Sequence, residues 1–469
     1  MGFSEVFLKA GGIMNKILSV DAKRFYKQLA ALVIPIAIQN FITSAVGSAD
    51  VLMLGYVGQS ALSAVSLANQ YQFILSGVFF GIASGITMLC SQYWGKKDTK
   101  SIQAVMGIAF KIAFTLCFCV SMACIFVPDI MMKIYTDDVE LINLGVRYLK
   151  ITGISYVLMS VSQVYLSTLR SIERAKISTI ISSTALGLNI VLNAVFIFGL
   201  FGIPKLGVIG VALATTISRI VECVLCLIDL SFNKYIRFNF AIFFGRHKAL
   251  FKDYLKYSIP ALGNDISWTL AFSTYSIIMG HMNSDMGAAS SVATTVRDLC
   301  TVLCFGMAAG GSVLLGIEIG EGRIDDVKKD AKRICHITLL CGLLTGLVIL
   351  LLRPVVFYCF TLTDRASDYL NIMLWISSYY VIGQAINTVT IAGIFRAGGD
   401  SKFGLICDSI TMWVISVPLG FISAFVLKLP PMWVYFILCL DEFWKEPVVY
   451  LRYKSFKWIK DITRKYEDN

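Results

Sequence analysis

Few side chains here can change charge inside an apolar setting, and they limit the chemistry open to the chain. Of 469 residues, 57% are hydrophobic and 15% charged, so an acid within a long apolar run stands out. Asp50 lies in SAVGSADVLMLG, flanked by small residues that admit another helix closely. Asn189 and Asn193, in LNIVLNAVFIFG, are four apart and project from one helical face, and Thr215 follows in GVALATTIS. A carboxylate desolvated in a membrane can exchange a proton or attract Na⁺, while paired amides on one face read equally as interhelical hydrogen-bond glue. Ionisable groups within a membrane are expensive and mark ion and substrate routes. The second half has Asp265 in IPALGNDISW, the adjacent Arg297 and Asp298, Asp408, and the group Asp441, Glu442, Lys445 and Glu446. Neighbours on a helix do not face each other, so Arg297 and Asp298 are expected to pair elsewhere. Asp408 reads as a snorkelling or loop-capping residue at a span end. The Asp441–Glu446 group reads as a ladder of i,i+3 and i,i+4 pairs that neutralises itself.

Other chemistries lack their residues. There is no Walker A loop, Gly-rich dinucleotide turn or nucleophile elbow. The thirteen Cys lie mostly in apolar runs, without metal-ligand spacing, and the three His are dispersed. An enzyme, a bound cofactor and ATP-driven pumping by this chain alone are not expected; energy would come from an ion gradient, or transport would be passive.

The elements that must position these groups are membrane spans. Apolar stretches of about 20 residues, each enough to cross a hydrocarbon core, recur along the whole chain. Twelve are expected, at roughly 29–54, 64–92, 103–127, 143–168, 177–200, 206–231, 254–281, 289–317, 333–359, 369–395, 403–427 and 431–451. The expected organisation is a polar tail at 1–28 without a cleavable leader, a six-helix lobe at 29–231 and a linker at 232–253. A second six-helix lobe at 254–451 and a tail at 452–469 complete it.

The two halves repeat each other. A shift of 225 positions brings Pro35 onto Pro260, Gly55 onto Gly280, Gly81 onto Gly306, Gly85 onto Gly310 and Gly95 onto Gly320. One residue of slip later, Arg170 falls on Arg396. In this register Asn40 falls on Asp265, so both lobes place a polar group at one level. Pro35 and Pro260, near the starts of matched spans, are natural hinges. The formal charge of +11 is not a nucleic-acid footprint. Thirty of the 41 Lys and Arg lie in the two tails and the loops between even and odd spans, against seven in the opposite loops. That asymmetry predicts both termini in the cytoplasm and makes the halves a parallel repeat about the membrane normal. The expected fold is therefore an all-α polytopic membrane protein of twelve transmembrane helices in two lobes.

These residues resemble the MATE (multidrug and toxic compound extrusion) family over about 25–455. The most specific pieces are DVLMLGYVGQSALSAVSLANQ, GIASGITMLCSQYWGKKD, NIVLNAVFIFG, GVIGVALATTISR, FRAGGDSKFGLICD and TMWVISVPLG. The resemblance implies a central cleft that opens alternately to each side, and efflux of organic, often cationic amphipathic compounds against H⁺ or Na⁺. It implies a coupling role for Asp50 with Asn189, Asn193 and Thr215, and for Asp265, with Na⁺ at Asp50 or Asp265. Asn193 departs from the family, where many proton-linked members carry Asp. In span 10 the position of a sodium-linked aspartate is Ala385, flanked by Gln384 and Asn387. Asn40, Arg297, Asp298, Gln384 and Asn387 are the expected cleft residues.

A flippase for a lipid-linked precursor would favour a strongly cationic cleft, whereas Lys111, Arg219 and Arg297 stand against Asp50, Asp265, Asp298 and Glu222. A sensor or scaffold would usually add a soluble domain. The expected setting is a monomer in the plasma membrane, in contact with lipid and small organic substrates.

Overall fold

The computed structural model describes residues 20–360 and 362–465, which form helices and loops with no strand among them. Backbone polar groups in lipid must be satisfied within their own segment, so helices are the form open to these apolar runs. The first lobe holds α1 (Val20–Val57), α2 (Gln59–Gly95), α3 (Thr99–Phe126), α4 (Val139–Ser171), α5 (Ala175–Phe198) and α6 (Gly207–Phe232). The second holds α7 (Lys248–Met282), α8 (Ser284–Gly320), α9 (Ile324–Cys359) and α10 (Asp364–Thr388, prolonged by the wide turns of Val389–Phe395). It ends with α11 (Ser401–Val426) and α12 (Pro431–Leu438 continued by Asp441–Lys454). Short polar side chains start several of them. Asp98 accepts from the Ser101 amide at 3.0 Å, and Asp138 from the Glu140 amide at 2.8 Å; each cap is worth roughly 1 kcal/mol.

Eight of the twelve are apolar and long enough to cross a membrane by composition alone. The four that fall short are α4, α7, α10 and α12, and the last three carry Asp265, Asn387 and Lys445. α4, α7 and α10 are long enough but more polar, whereas α12 is broken into helices of 8 and 14 residues. α1 begins nine residues before the expected span because its first turns have a partner: Phe25 and Leu29 are buried in a cluster with Met307, Val313 and Val327 of the other lobe.

Three of the four glycine pairs that mark the repeat are contact points between lobes. Gly81 and Gly85 of α2 sit against Leu262 and Ser258 of α7, and Gly306 and Gly310 of α8 against Ala37 and Val33 of α1. Gly95 faces the carbonyl of Ile317, and its mate Gly320 faces the carbonyl of Gln92. A side chain at any of these positions would hold the helices apart. Farther from the basic loops the pattern reverses: Gly47, Gly55, Gly77 and Gly280 have nothing within 4 Å of a notional Cβ. The lobes are therefore shut at the basic end and parted at the other.

The segment after α12 reinforces the shut end. Trp458 is fully buried, and Gln92 donates to the carbonyls of Ala397 at 2.8 Å and Lys460 at 3.0 Å while accepting from the Ile462 amide at 2.9 Å. Asp461 pairs with Lys96 at 2.6 Å, and Arg464 pairs with Asp253. Burial works to raise the Asp461 pKa, but the hydrogen bonds from Lys96 and Thr463 prevail and hold it below the usual carboxylate value. One strand of chain thus touches α2 of the first lobe and α7 and the α10–α11 loop of the second.

Pro35 and Pro260 lie inside α1 and α7, not at their entries. Proline leaves a carbonyl one turn back without its helical donor, and the Pro35 carbonyl itself accepts from Thr179 of α5 at 2.9 Å.

Candidate functional site

In the first lobe the sequence candidates converge. Asn193 Nδ2 donates to Asp50 Oδ1 at 2.7 Å and lies 3.3 Å from Asn189 Oδ1. The four-residue spacing on α5 aims both amides at α1, and the small residues around Asp50 let α5 come that close. Asn189 and Asn193 are buried, and Asn193 Oδ1 has no hydrogen-bond partner. Thr215 meets the hydroxyl of Tyr148, which donates to Asn69 Oδ1 at 2.8 Å. Tyr148 and Asn69 were not legible in the sequence, because nothing in their spacing ties α4 and the start of α2 to Asp50.

The second lobe holds a longer chain of buried charge. Asp265 Oδ1 accepts from Arg396 Nη2 at 2.6 Å, and the same guanidinium donates to Asn264 Oδ1 at 3.0 Å. It also reaches across the seam to Ser84 Oγ of α2 at 2.8 Å. Asn264 Nδ2 donates to Asp408 Oδ2 at 2.7 Å, and Lys445 Nζ bonds Asp408 Oδ1 at 2.9 Å and lies 3.1 Å from Glu442 Oε2. Asn387 Nδ2 closes the run on Glu442 Oε2 at 2.8 Å. Three carboxylates bonded in this run (Asp265, Asp408, Glu442) share two cations (Arg396, Lys445), and a further buried carboxylate, Asp441, adjoins them. A buried ion pair is costly to break because the partner left behind is uncompensated.

Several expectations need correction. Asp408 neither snorkels nor caps a loop: it is buried between Asn264 and Lys445, because α11 packs its inner turns against α7 and α12. The α12 group does not neutralise itself alone, since Lys445 is shared with α11. Arg297 and Asp298 do approach each other, Nε to Oδ1 at 3.7 Å, because the long guanidinium can bend back over its own helix. Lys111 is not in the cleft; it donates to the carbonyls of Phe244 and Gly245 at 3.0 and 2.7 Å in the linker. Arg219 is paired with Glu222 at 2.7 Å within the first lobe. Two of the three cationic groups a phosphate-bearing lipid would need, Lys111 and Arg219, are thus already engaged. Gln384 is buried with neither amide atom partnered. Asn40 is half-buried and makes no side-chain hydrogen bond among the described residues.

One signal could have exposed part of the second network. Asn264 is the repeat mate of Gln39, and Gln39 Nε2 donates to Ser182 Oγ at 3.0 Å, 143 residues on. Asp50 to Asn193 spans 143 residues and Asn264 to Asp408 spans 144. The first and fifth helices of each lobe are therefore bonded in one register, and applying that offset to Asn264 finds Asp408.

Lys445→Met should be strongly destabilising, by about 3–5 kcal/mol, because Asp408 and Glu442 lose their common cation. Thermal unfolding of the detergent-purified protein would read the loss, and adding Asp408→Asn should recover part of it. An unchanged midpoint would mean that the pair carries no such load.

Two lobes of six spans, shut at one end, with buried carboxylates in each, define a polytopic membrane protein of the transporter class. The chain belongs to the MatE family, whose profile matches residues 35–195 and 260–422. The two matches begin at Pro35 and Pro260, the same 225-residue offset as the repeat. In sequence it is similar to the "Uncharacterized transporter YisQ" of Bacillus subtilis (strain 168), 26% identical over 92% of this chain and 95% of that protein. It is also similar to the "Probable multidrug resistance protein YoeA" of the same organism, 26% identical over 86% of this chain and 88% of that one. The fold matches a crystallised MATE mutant at a TM-score of 0.83, with 20% identity over 92% of this chain and 95% of that one.

Proposed function

We propose that this protein is a multidrug efflux transporter that exports organic, chiefly cationic and amphipathic compounds in exchange for H⁺ or Na⁺. The observation that carries the reading is the Asp50 carboxylate, held within the membrane-spanning part of the first lobe by a neutral amide and by no cation. Such a group can be discharged by a proton, by Na⁺ or by a cationic substrate, and the three then compete for it. The oxygens of Asp50, Asn189, Asn193 and Thr215 are the donor type that hard cations prefer, and the unpartnered Asn193 Oδ1 supports that fit. The name of YoeA supports the substrate class.

The seam supports a reading of alternating access. With the basic loops in the cytoplasm, the shut end is the inner one and the parted end faces outward. Opening inward requires the glycine contacts to separate, together with Arg396–Ser84 and the bonds of the terminal segment. Loading of the carboxylates drives that exchange only through different affinities in the two states. Pro35 and Pro260 are the hinges where α1 and α7 would bend. The test is uptake of a fluorescent organic cation into everted or reconstituted vesicles under separately imposed H⁺ and Na⁺ gradients. One of the gradients should drive uptake; a flux indifferent to both would sink ion-coupled export.

A further inference from the structure

A cavity of about 50 Å³ lies within the second lobe, between α7, α8, α10 and α12, in the half away from the basic loops. Its walls are aromatic, from Phe272, Tyr275, Tyr380 and Tyr435, and one further wall is Arg297. Arg297 is 7% exposed. Its guanidinium lies over the rings of Phe272 at 5.0 Å and Tyr380 at 5.3 Å, which fixes its plane without using its donors. Its Nε has no hydrogen-bond partner. The nearest carboxylate oxygen, Asp298 Oδ1, is 3.7 Å away, beyond hydrogen-bond reach, and the Asp298 side chain is 62% exposed.

Guanidinium donors are expensive to bury unmet, and their forked geometry matches a carboxylate. The other charges near this wall stand behind the tyrosines. Asp441 is met by the Tyr275 hydroxyl at 3.5 Å, and Glu442 by the Tyr380 hydroxyl at 3.4 Å. Lys445 is committed to Asp408 and Glu442. Of these groups only Arg297 lines the cavity itself. Ser276 is exposed and Thr294 half-buried, so the rim of the cavity carries polar hydroxyls.

We infer that this cavity is a subsite for the carboxylate of an aromatic substrate, with Arg297 as the residue that recognises it. The volume suits a single small anionic group, so the rest of the ligand would extend through the mouth toward the cleft. A substrate that is cationic at one end and carboxylated at the other would then engage both lobes: its cation would answer the acids and its carboxylate Arg297. The inference rests on the transporter reading above and specifies which compounds it favours.

The test uses one dye in two forms, tetramethylrhodamine with its free carboxylate and the methyl ester of the same dye. Fluorescence polarisation on the full-length purified protein gives affinity, and reconstituted vesicles give flux. The wild type should bind and move the free acid at least as well as the ester. Arg297→Gln should weaken free-acid binding by about tenfold or more and leave the ester within about twofold, because only the charge-assisted pair is lost. Arg297→Lys, which keeps the charge but not the fork, should fall between them. Equal losses for both dyes, or a wild type that handles the ester and ignores the acid, would overturn the Arg297 assignment while leaving efflux intact. A wild type that moves neither dye under any gradient would overturn the transporter reading and the subsite together.

Discussion

Asp50→Asn should reduce gradient-driven efflux to the leak rate while leaving expression, folding and the unfolding midpoint close to wild type. The amide keeps the shape of the side chain but cannot carry charge, so it imitates the proton-loaded state permanently. Asn193 Nδ2 now donates to Asp50 Oδ1 at 2.7 Å; an amide oxygen turned the same way preserves that bond, which is why the fold should tolerate the change. What disappears is the difference between loaded and unloaded forms, and a ligand that no longer distinguishes two states cannot shift their populations. Flux in vesicles under imposed H⁺ or Na⁺ gradients, alongside cation binding at equilibrium, reads both halves of the claim. Wild-type flux with wild-type ion dependence in Asp50→Asn would move the coupling to the Asp265–Arg396 chain.

The second large effect is expected at the seam. Gly95→Ala combined with Gly320→Ala should lock the transporter away from the conformation seen here and stop turnover. A Cβ at Gly95 would overlap the Ile317 carbonyl oxygen, and one at Gly320 would overlap the Gln92 carbonyl oxygen. Both obstacles are main chain, which has no rotamer to yield, so the lobes themselves must part. The cost of approach falls on one state only, which biases the equilibrium rather than unfolding the protein. Cysteine labelling at Ser91, which faces Gly316 across the seam, should rise markedly in the double variant. Labelling as slow as in a Ser91→Cys control with native glycines, together with normal flux, would show that the seam is not a gate. Gly55→Ala, at a repeat position with open space around it, is the matched control and should transport normally.

The repeat explains why so much of the architecture could be read early. Proline and glycine are scarce enough in apolar helices that one register joining Pro35 to Pro260 and Gly95 to Gly320 carries information, and it led to two lobes of six. The same glycines turned out to be the inter-lobe contacts, a role that spacing alone does not disclose. Asp50, Asn189 and Asn193 were legible because the amides share a helical face and the acid interrupts an apolar run. Asp408 was misread for the same kind of reason: near a span end, an aspartate looks solvated unless its neighbours on α7 and α12 are known. The Arg297–Asp298 contact was missed because helical phase predicts where a Cβ points, not where a long guanidinium ends.

By itself, the amino-acid order determined the spans, their number, the twofold repeat and the identity of the ionisable groups in each half. Those properties follow from hydrophobicity, charge asymmetry and helical period, all local along the chain. Tertiary structure alone decided which of those groups meet. Asp50 has a neutral amide for a partner, whereas Asp408 and Glu442 share a buried lysine and Arg396 reaches Ser84 in the opposite lobe. Those partners are separated by as many as 312 residues, and only the packing of helices in three dimensions selects them. The physical reason is that a desolvated charge needs a complement within a few ångströms, and no local pattern records which distant helix supplies it.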